Sequence, residues 1–271
     1  MSSREELNPT ALRAALVGTR FPARLHHFPS TESTNTLLLD AAANGAPEGT
    51  LYIADEQTVG RGRGGHAWHS APGDGLYLSV LAKPSLHLRE ALWISLATGL
   101  AVQSAIQTTT GLRIDIRWPN DLIVPQDSGP GKKLGGILVE AAVEPGADAA
   151  LRYAVIGIGL NINHASFPPE LAPLATSLRI ATGQEQSRNT LLIALLRALD
   201  LELTRLEARQ PDLLERFTAA STWVRGKRVR VPEQGGYTGT TAGLDARGFL
   251  LVDTGDGTQR TVLSGGVRDE Q

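Results

Sequence analysis

Gln57-Thr58-Val59-Gly60-Arg61-Gly62-Arg63-Gly64-Gly65-His66-Ala67-Trp68 holds four glycines and two arginines in the six residues from 60 to 65. Such a run is not a helix or strand interior, where each glycine costs roughly 0.5–1 kcal/mol relative to alanine. Neighbouring guanidinium groups on so flexible a ribbon repel each other unless an anion lies between them. Bare backbone N–H groups and arginine forks together fit a loop that closes around a phosphate or carboxylate. The same composition also fits an arginine–glycine segment that is disordered or touches nucleic acid. The rest of the chain decides between the two.

With 271 residues, 41% hydrophobic and 20% charged, the chain has ordinary globular composition and room for one large unit and one small one. Its 26 basic and 28 acidic residues nearly cancel, so no global field draws it to nucleic acid or an anionic membrane. There is no cysteine, which removes disulfides, thiolate catalysis and cysteine-held metals. The charged start Met1-Ser2-Ser3-Arg4-Glu5-Glu6 does not read as a secretory signal, and no apolar run is long enough to span a bilayer. A cytoplasmic location is the expectation.

The pattern along the chain predicts a helical lead over residues 1–20, ending near Gly18, with no room for a helix-turn-helix. A helix starts at Ser33, with Leu37, Leu38, Ala41 and Ala42 on one face, and stops at Asn44-Gly45. Strands are expected at 50–56 and 76–81, then an apolar helix over 90–108 closed by Gly111. Period-two alternation marks 113–118 as a strand, with further strands at 137–143 and 153–163. From Ser187 a helix carries Leu191, Leu195, Leu199, Leu203 and Leu206 on one stripe, until Pro211 interrupts it. This order predicts an α+β fold, a mixed sheet with packed helices, over residues 21–222. After Trp223 come short strands at 227–231, 237–244, 249–253 and 258–263, two of the turns carrying an Asp-Gly pair or Asp-Ala-Arg-Gly. They predict a small SH3-like barrel over residues 223–271.

Four further runs carry chemistry. In Arg117-Trp118-Pro119-Asn120-Asp121 the proline stops a strand and presents an amide and a carboxylate at its end. Asn-Asp after proline is equally an ordinary turn. Lys132-Lys133-Leu134-Gly135-Gly136 places a lysine beside a glycine pair, either as a solvated edge charge or as a cation for a phosphate or activated carboxylate. Glycines inside Gly157-Ile158-Gly159-Leu160-Asn161-Ile162-Asn163 mark close packing or a ligand against the backbone. Ser30-Thr31-Glu32-Ser33-Thr34-Asn35-Thr36 is a helix cap or, at the same N-terminus, a ligand-binding turn.

Taken in order, these runs resemble the biotin protein ligase family, closely over residues 30–165 and more loosely to the end of the chain. The resemblance implies a catalytic domain like that of class II aminoacyl-tRNA synthetases plus the SH3-like unit, in the ligase-only form. It implies two steps: ATP activates biotin as biotinyl-5′-adenylate, and a lysine of a biotin carboxyl carrier protein then takes the biotin. Mg2+ would ride on the phosphates, with no metal site in the protein.

Matched by motif, Ser33, Thr34, Asn35, Gln57, Gly60, Arg61 and Gly62 are implied biotin contacts. Arg63 would retain the adenylate and Trp68 stack over ligand; Lys133 would polarise the biotin carboxyl, and Gly136 leave room for the ring. Asn120 and Asp121 would face the nucleotide and the incoming amine, with Asp121 orienting or deprotonating it. Asn161 and Asn163 would line the adenine and ribose pocket. Gly64 stands where family members commonly have arginine, and His66 where another basic residue is frequent. The tail Ser264-Gly265-Gly266-Val267-Arg268 lacks the usual glutamate, and Arg268 is the one counterpart offered for a nucleotide-contacting arginine.

A lipoate or octanoate transferase shares this fold and adenylate logic and is the nearest alternative. A nucleic-acid binder using the arginine loop with Arg225, Lys227, Arg228 and Arg230 is the other, against which the balanced charge counts. An edge-to-edge homodimer is compatible with the pattern, and the histidines show no metal-ligand spacing.

Overall fold

The computed structural model describes residues 5–146, 149–233 and 235–270. Seven strands form the main sheet: β1 (Leu25–Phe28), β2 (Leu51–Ala54), β3 (Gly75–Ala82), β4 (Asp115–Arg117), β5 (Asp121–Val124), β6 (Lys132–Val143) and β7 (Leu151–Asn161). Their order is β1-β2-β3-β7-β6-β5-β4, with only β1 and β2 parallel. The sheet is mixed, as the α+β reading requires.

Helix α1 (Pro9–Ala15) leads the chain, and α2 (Thr34–Ala43) lies on one face of the sheet. Helices α3 (Ala91–Thr110) and α5 (Arg188–Glu207) pack together on the other. The short α4 (Leu178–Thr182) and α6 (Leu213–Ala220) complete the set. Because successive strand residues point to opposite faces, each long strand serves two cores. Ile156 and Ile158 of β7 join the large cluster under α3 and α5, while Tyr153 and Val155 join Leu38 and Ala42 under α2.

The α2-facing row of β7 then changes character. Beyond Tyr153 and Val155 come Gly157, Gly159 and Asn161. Register extends the gap sideways: Gly159 lies between Tyr77 of β3 and Gly136 of β6, and Gly136 in turn faces Asp121 of β5. Gly157 lies between Ser79 and Leu138. A patch of sheet without Cβ atoms therefore opens beside the N-terminus of α2.

The chain after α6 forms a second, antiparallel sheet from β8 (Arg225–Val231), β9 (Tyr237–Leu244), β10 (Leu250–Asp253), β11 (Gln259–Val262) and β12 (Arg268–Asp269), in the order β11-β10-β9-β8-β12. Its Val229, Val231, Val252 and Val267 belong to the same buried cluster as Ile116, Trp118 and Leu196. The Trp118 indole N–H donates to the Gly248 carbonyl at 2.9 Å across the junction. Lys227 and Arg228 of the basic strand pair with Asp269 at 2.6 Å and Glu270 at 2.5 Å, so that part of its charge is already matched.

The described part of the N-terminal lead has a structural task. Glu5 accepts from the Ser187 hydroxyl at 2.8 Å and the Arg188 N–H at 2.6 Å, capping α5. Burial pushes the Glu5 carboxyl up, but hydrogen bonds from Asn189, Ser187 and the helix backbone hold it below its ordinary value. Arg188 itself is buried and donates to the Gly75 carbonyl at 3.0 Å and to Asp55 at 2.6 Å, while Asp55 also meets His27 at 2.8 Å. We expect Arg188→Ala to cost about 3 kcal/mol, because the Gly75 carbonyl loses this buried donor and Asp55 is left with His27 alone. A urea midpoint unchanged from the parent would refute this.

Candidate active site

The site begins at the α2 N-terminus. Ser33 is the N-cap residue, and next to it the Thr34 N–H donates to Gln57 Oε1 at 2.9 Å. The Gln57 amide donates onward to the Ser70 hydroxyl at 3.2 Å. Asn35 sits on Gly157: its amide donates to Glu140 Oε2 at 2.9 Å, and its Oδ1 lies 2.6 Å from the Ser79 hydroxyl. A glycine at 157 is required here, because a Cβ would lie 2.3 Å from Asn35 Oδ1.

The glycine–arginine run is an ordered hairpin. Arg61 bridges to Ala67, Gly62 N–H donates to the His66 carbonyl at 2.7 Å, and Trp68 N–H donates to the Gly60 carbonyl at 2.8 Å. At its tip Gly64 and Gly65 take φ of 68° and 79°, the left-handed region that glycine adopts without steric cost. The hairpin lays the Trp68 indole on the glycine floor: a Cβ on Gly159 would lie 2.7 Å from its ring nitrogen. That buried N–H has no hydrogen-bond partner among the described residues, so the floor offers a donor to an arriving ligand.

Lys133 lies opposite, its Nζ 5.5 Å from the Trp68 ring centroid and 2.5 Å from Asp121 Oδ1. Asp121 Oδ2 accepts from Arg117 at 2.7 Å. Burial would raise the Asp121 carboxyl, but the two cations and their hydrogen bonds hold it below the usual carboxylate range. Arg63 reaches the other way, donating to the Gly265 carbonyl of the C-terminal unit at 2.5 Å. Burial pushes its guanidinium down while Asp121 and Glu233 oppose that shift. An arginine on the exposed hairpin whose hydrogen-bond acceptor is a neutral carbonyl is a ready partner for a phosphate.

Two connected spaces result. Ser33, Thr34, Asn35, Gln57, Arg61, Gly62, Arg63, Trp68, Asn120, Lys133 and Gly136 line an inner slot floored by Gly157 and Gly159. Outside it lies a cleft of about 1020 Å³ between the hairpin, the segment 167–175 and the C-terminal unit, where Asp121, Asn161, Glu233 and Arg268 join the lining. Two expected residues, Gly60 and Asn163, are placed outside both spaces, and a third, Arg61, lines the slot with its guanidinium already paired. Gly60 lines neither space; it lets the hairpin close, since a Cβ there would lie 2.5 Å from the Trp68 carbonyl. The Arg61 guanidinium pairs with Glu140 at 2.7 Å. Asn163 lies outside both spaces, its amide donating to and its oxygen accepting from the Gln186 backbone at 2.9 Å each. Asn120 lines both spaces, with its amide donating to the Ile137 carbonyl at 2.8 Å.

Sequence reading did not single out Ser79, Arg117, Glu140 or Glu233. Ser79 carried a signal, being the one small polar residue inside the apolar run 76–81. Among the described residues no group of three or more histidines and carboxylates could hold a metal ion. No described helix is long and apolar enough to cross a membrane.

The model of the biotin/lipoate A/B protein ligase family matches residues 27–161, and that of the biotin protein ligase C-terminal domain matches 225–267. The biotin--[acetyl-CoA-carboxylase] ligase of Mycobacterium tuberculosis is 34% identical, over 98% of this chain and 98% of its own. The bifunctional ligase/repressor BirA of Bacillus subtilis is 31% identical over 94% of this chain and 77% of that one. A structure of the Aquifex aeolicus biotin protein ligase with biotin and ATP aligns with a TM-score of 0.74 at 29% identity, covering 90% of this chain and 97% of that one.

Proposed function

Because the chain belongs to the biotin protein ligase family, we propose that its slot binds biotin, its outer cleft binds ATP, and the pair makes biotinyl-5′-adenylate for transfer to a lysine of a biotin-dependent carboxylase subunit. One observation carries the reading: a polar pocket at the α2 N-terminus and the cations Lys133 and Arg63 share one glycine-floored slot. We place the catalytic unit at residues 21–222 and the C-terminal unit at 223–271.

In the first step the biotin carboxylate oxygen attacks the α-phosphorus of ATP and pyrophosphate leaves. Both reactants are anions, so the barrier is largely electrostatic. Ser33, Thr34, Asn35 and Gln57 hold the ureido ring, whose donors and acceptor need such a mixed polar set. Lys133 leaves Asp121 for the carboxylate–phosphate bridge, and Arg63 exchanges the Gly265 carbonyl for phosphate oxygens. Mg2+ held by the phosphates themselves would supply further charge neutralisation.

In the second step the carrier amine attacks the acyl carbon and AMP leaves. Asp121 acts here by orienting the amine, because a carboxylate with lowered proton affinity is a poor base at neutral pH. The hairpin with Trp68 over the floor keeps water from the mixed anhydride. Asn161 and Arg268, on the cleft wall, take the nucleotide side.

Incubation with biotin, ATP, Mg2+ and a carrier domain, followed by avidin detection, tests this. Pyrophosphate exchange driven by lipoate but not biotin would overturn it in favour of the lipoate alternative. Trypsin cleavage after Arg61 and Arg63 is expected to slow when biotin and ATP are both present. Equal cutting with and without them would remove loop closure from the mechanism.

A further inference from the structure

We propose that Glu140 is a positioning residue for the biotin half of the site, holding the hairpin with one carboxylate oxygen and the Asn35 amide with the other. The inference rests on the biotin-binding reading above. Glu140 lines neither the slot nor the cleft, so it acts through its two partners. Its Oε1 accepts from Arg61 Nη2 at 2.7 Å, and its Oε2 accepts from Asn35 Nδ2 at 2.9 Å. One side chain on a central strand thus ties the hairpin to the first turn of α2.

The second contact also sets hydrogen-bond polarity. An ionised carboxylate only accepts, so the Asn35 NH2 must face Glu140 and its Oδ1 must face Ser79. The single Ser79 proton then goes to that Oδ1, 2.6 Å away. The Thr34 hydroxyl lies 2.8 Å from Ser79 Oγ and 3.1 Å from Gln57 Oε1, acceptors on both sides. Its own proton is committed to one of them, which leaves Thr34 Oγ1 an acceptor towards the slot. A cyclic urea offers N–H groups to such an oxygen. The Leu138 carbonyl, 3.4 Å from the same Asn35 NH2, favours this orientation more weakly. With an amide in place of the carboxylate it acts alone, Asn35 turns over more readily, Ser79 turns with it, and the match is weakened.

The test compares the full-length parent, Glu140→Gln and Glu140→Asp by titration calorimetry with biotin and, separately, with ATP, alongside trypsin cleavage after Arg61 without ligand. Glu140→Gln is expected to bind biotin about tenfold more weakly, from loss of a charge-assisted contact and its polarity. ATP affinity should stay at the parental value, and cutting after Arg61 should be faster. Glu140→Asp, charged but shorter, should fall between. Equal loss for biotin and ATP would mark a general structural role and overturn the proposal, as would parental biotin affinity. If Glu140→Gln does not fold, Glu140→Asp decides on the same split between biotin and ATP. A parent that binds no biotin sinks the reading beneath the proposal; unchanged cutting after Arg61 sinks the Glu140 role whatever the ligand.

Discussion

Lys133→Ala is expected to lose about a thousandfold in biotin-dependent pyrophosphate exchange while keeping its fold, the scale seen when one charge-stabilising donor is removed from a reacting centre. The lysine stands where two anions must meet, on the wall of the inner slot. Its ammonium is one-third exposed and bonded to Asp121 alone among the described carboxylates, so its loss disturbs little else. Asp121 keeps both Arg117 contacts, at 2.7 and 3.2 Å, and therefore keeps a partner for its charge. Biotin affinity should fall far less than exchange, because the ureido end of the ligand is held at the α2 N-terminus. Exchange at the parental rate would remove Lys133 from the chemistry.

Gly157→Ala is the second large effect, with biotin affinity expected to fall about a hundredfold, the upper range for forcing a methyl into a packed site. The new Cβ would lie 2.3 Å from Asn35 Oδ1, 2.9 Å from Cγ and 3.1 Å from Nδ2. Asn35 cannot withdraw, because Glu140 and Ser79 hold it from both ends. Gly159→Ala is an instructive contrast. Its Cβ would meet the Trp68 ring at 2.7 Å, but that ring rides on the hairpin and can lift. Its cost should fall on retention of the adenylate and leave biotin binding less affected. Calorimetry on both variants checks the pair; parental biotin affinity in Gly157→Ala would show that Asn35 has room to move.

The long helices α3 and α5 were legible because their apolar residues recur at helical spacing and glycine or proline marks their ends. The strands of the C-terminal sheet were legible from their turns. What escaped was set by pairing between distant segments. Asn120-Asp121 reads as a strand end, yet it closes a tight hairpin, and Asp121 opens β5, which lies between β4 and β6. The edge strand β1, which pairs in parallel with β2, carried no signal of its own, since its four residues are too few to show a period. Asn161 and Asn163 share a face only if the strand continues; it stops at Asn161, and the turn sends Asn163 to Gln186. The cluster of site residues at the α2 N-terminus, on the hairpin and at Lys133 was visible as ordered motifs. Their electrostatic partners were not, because Glu140 and Arg117 look like ordinary strand charges until the register places them.

The valines of the C-terminal unit and Trp118, in the turn between β4 and β5, are buried in one oily interior. Heat should therefore find no weaker half to melt first: the tail and the body lose their structure in a single step. The carbonyl that steadies Arg63 then stays in place for as long as the lysine and its carboxylate do, so the catalytic apparatus is complete or absent as a whole.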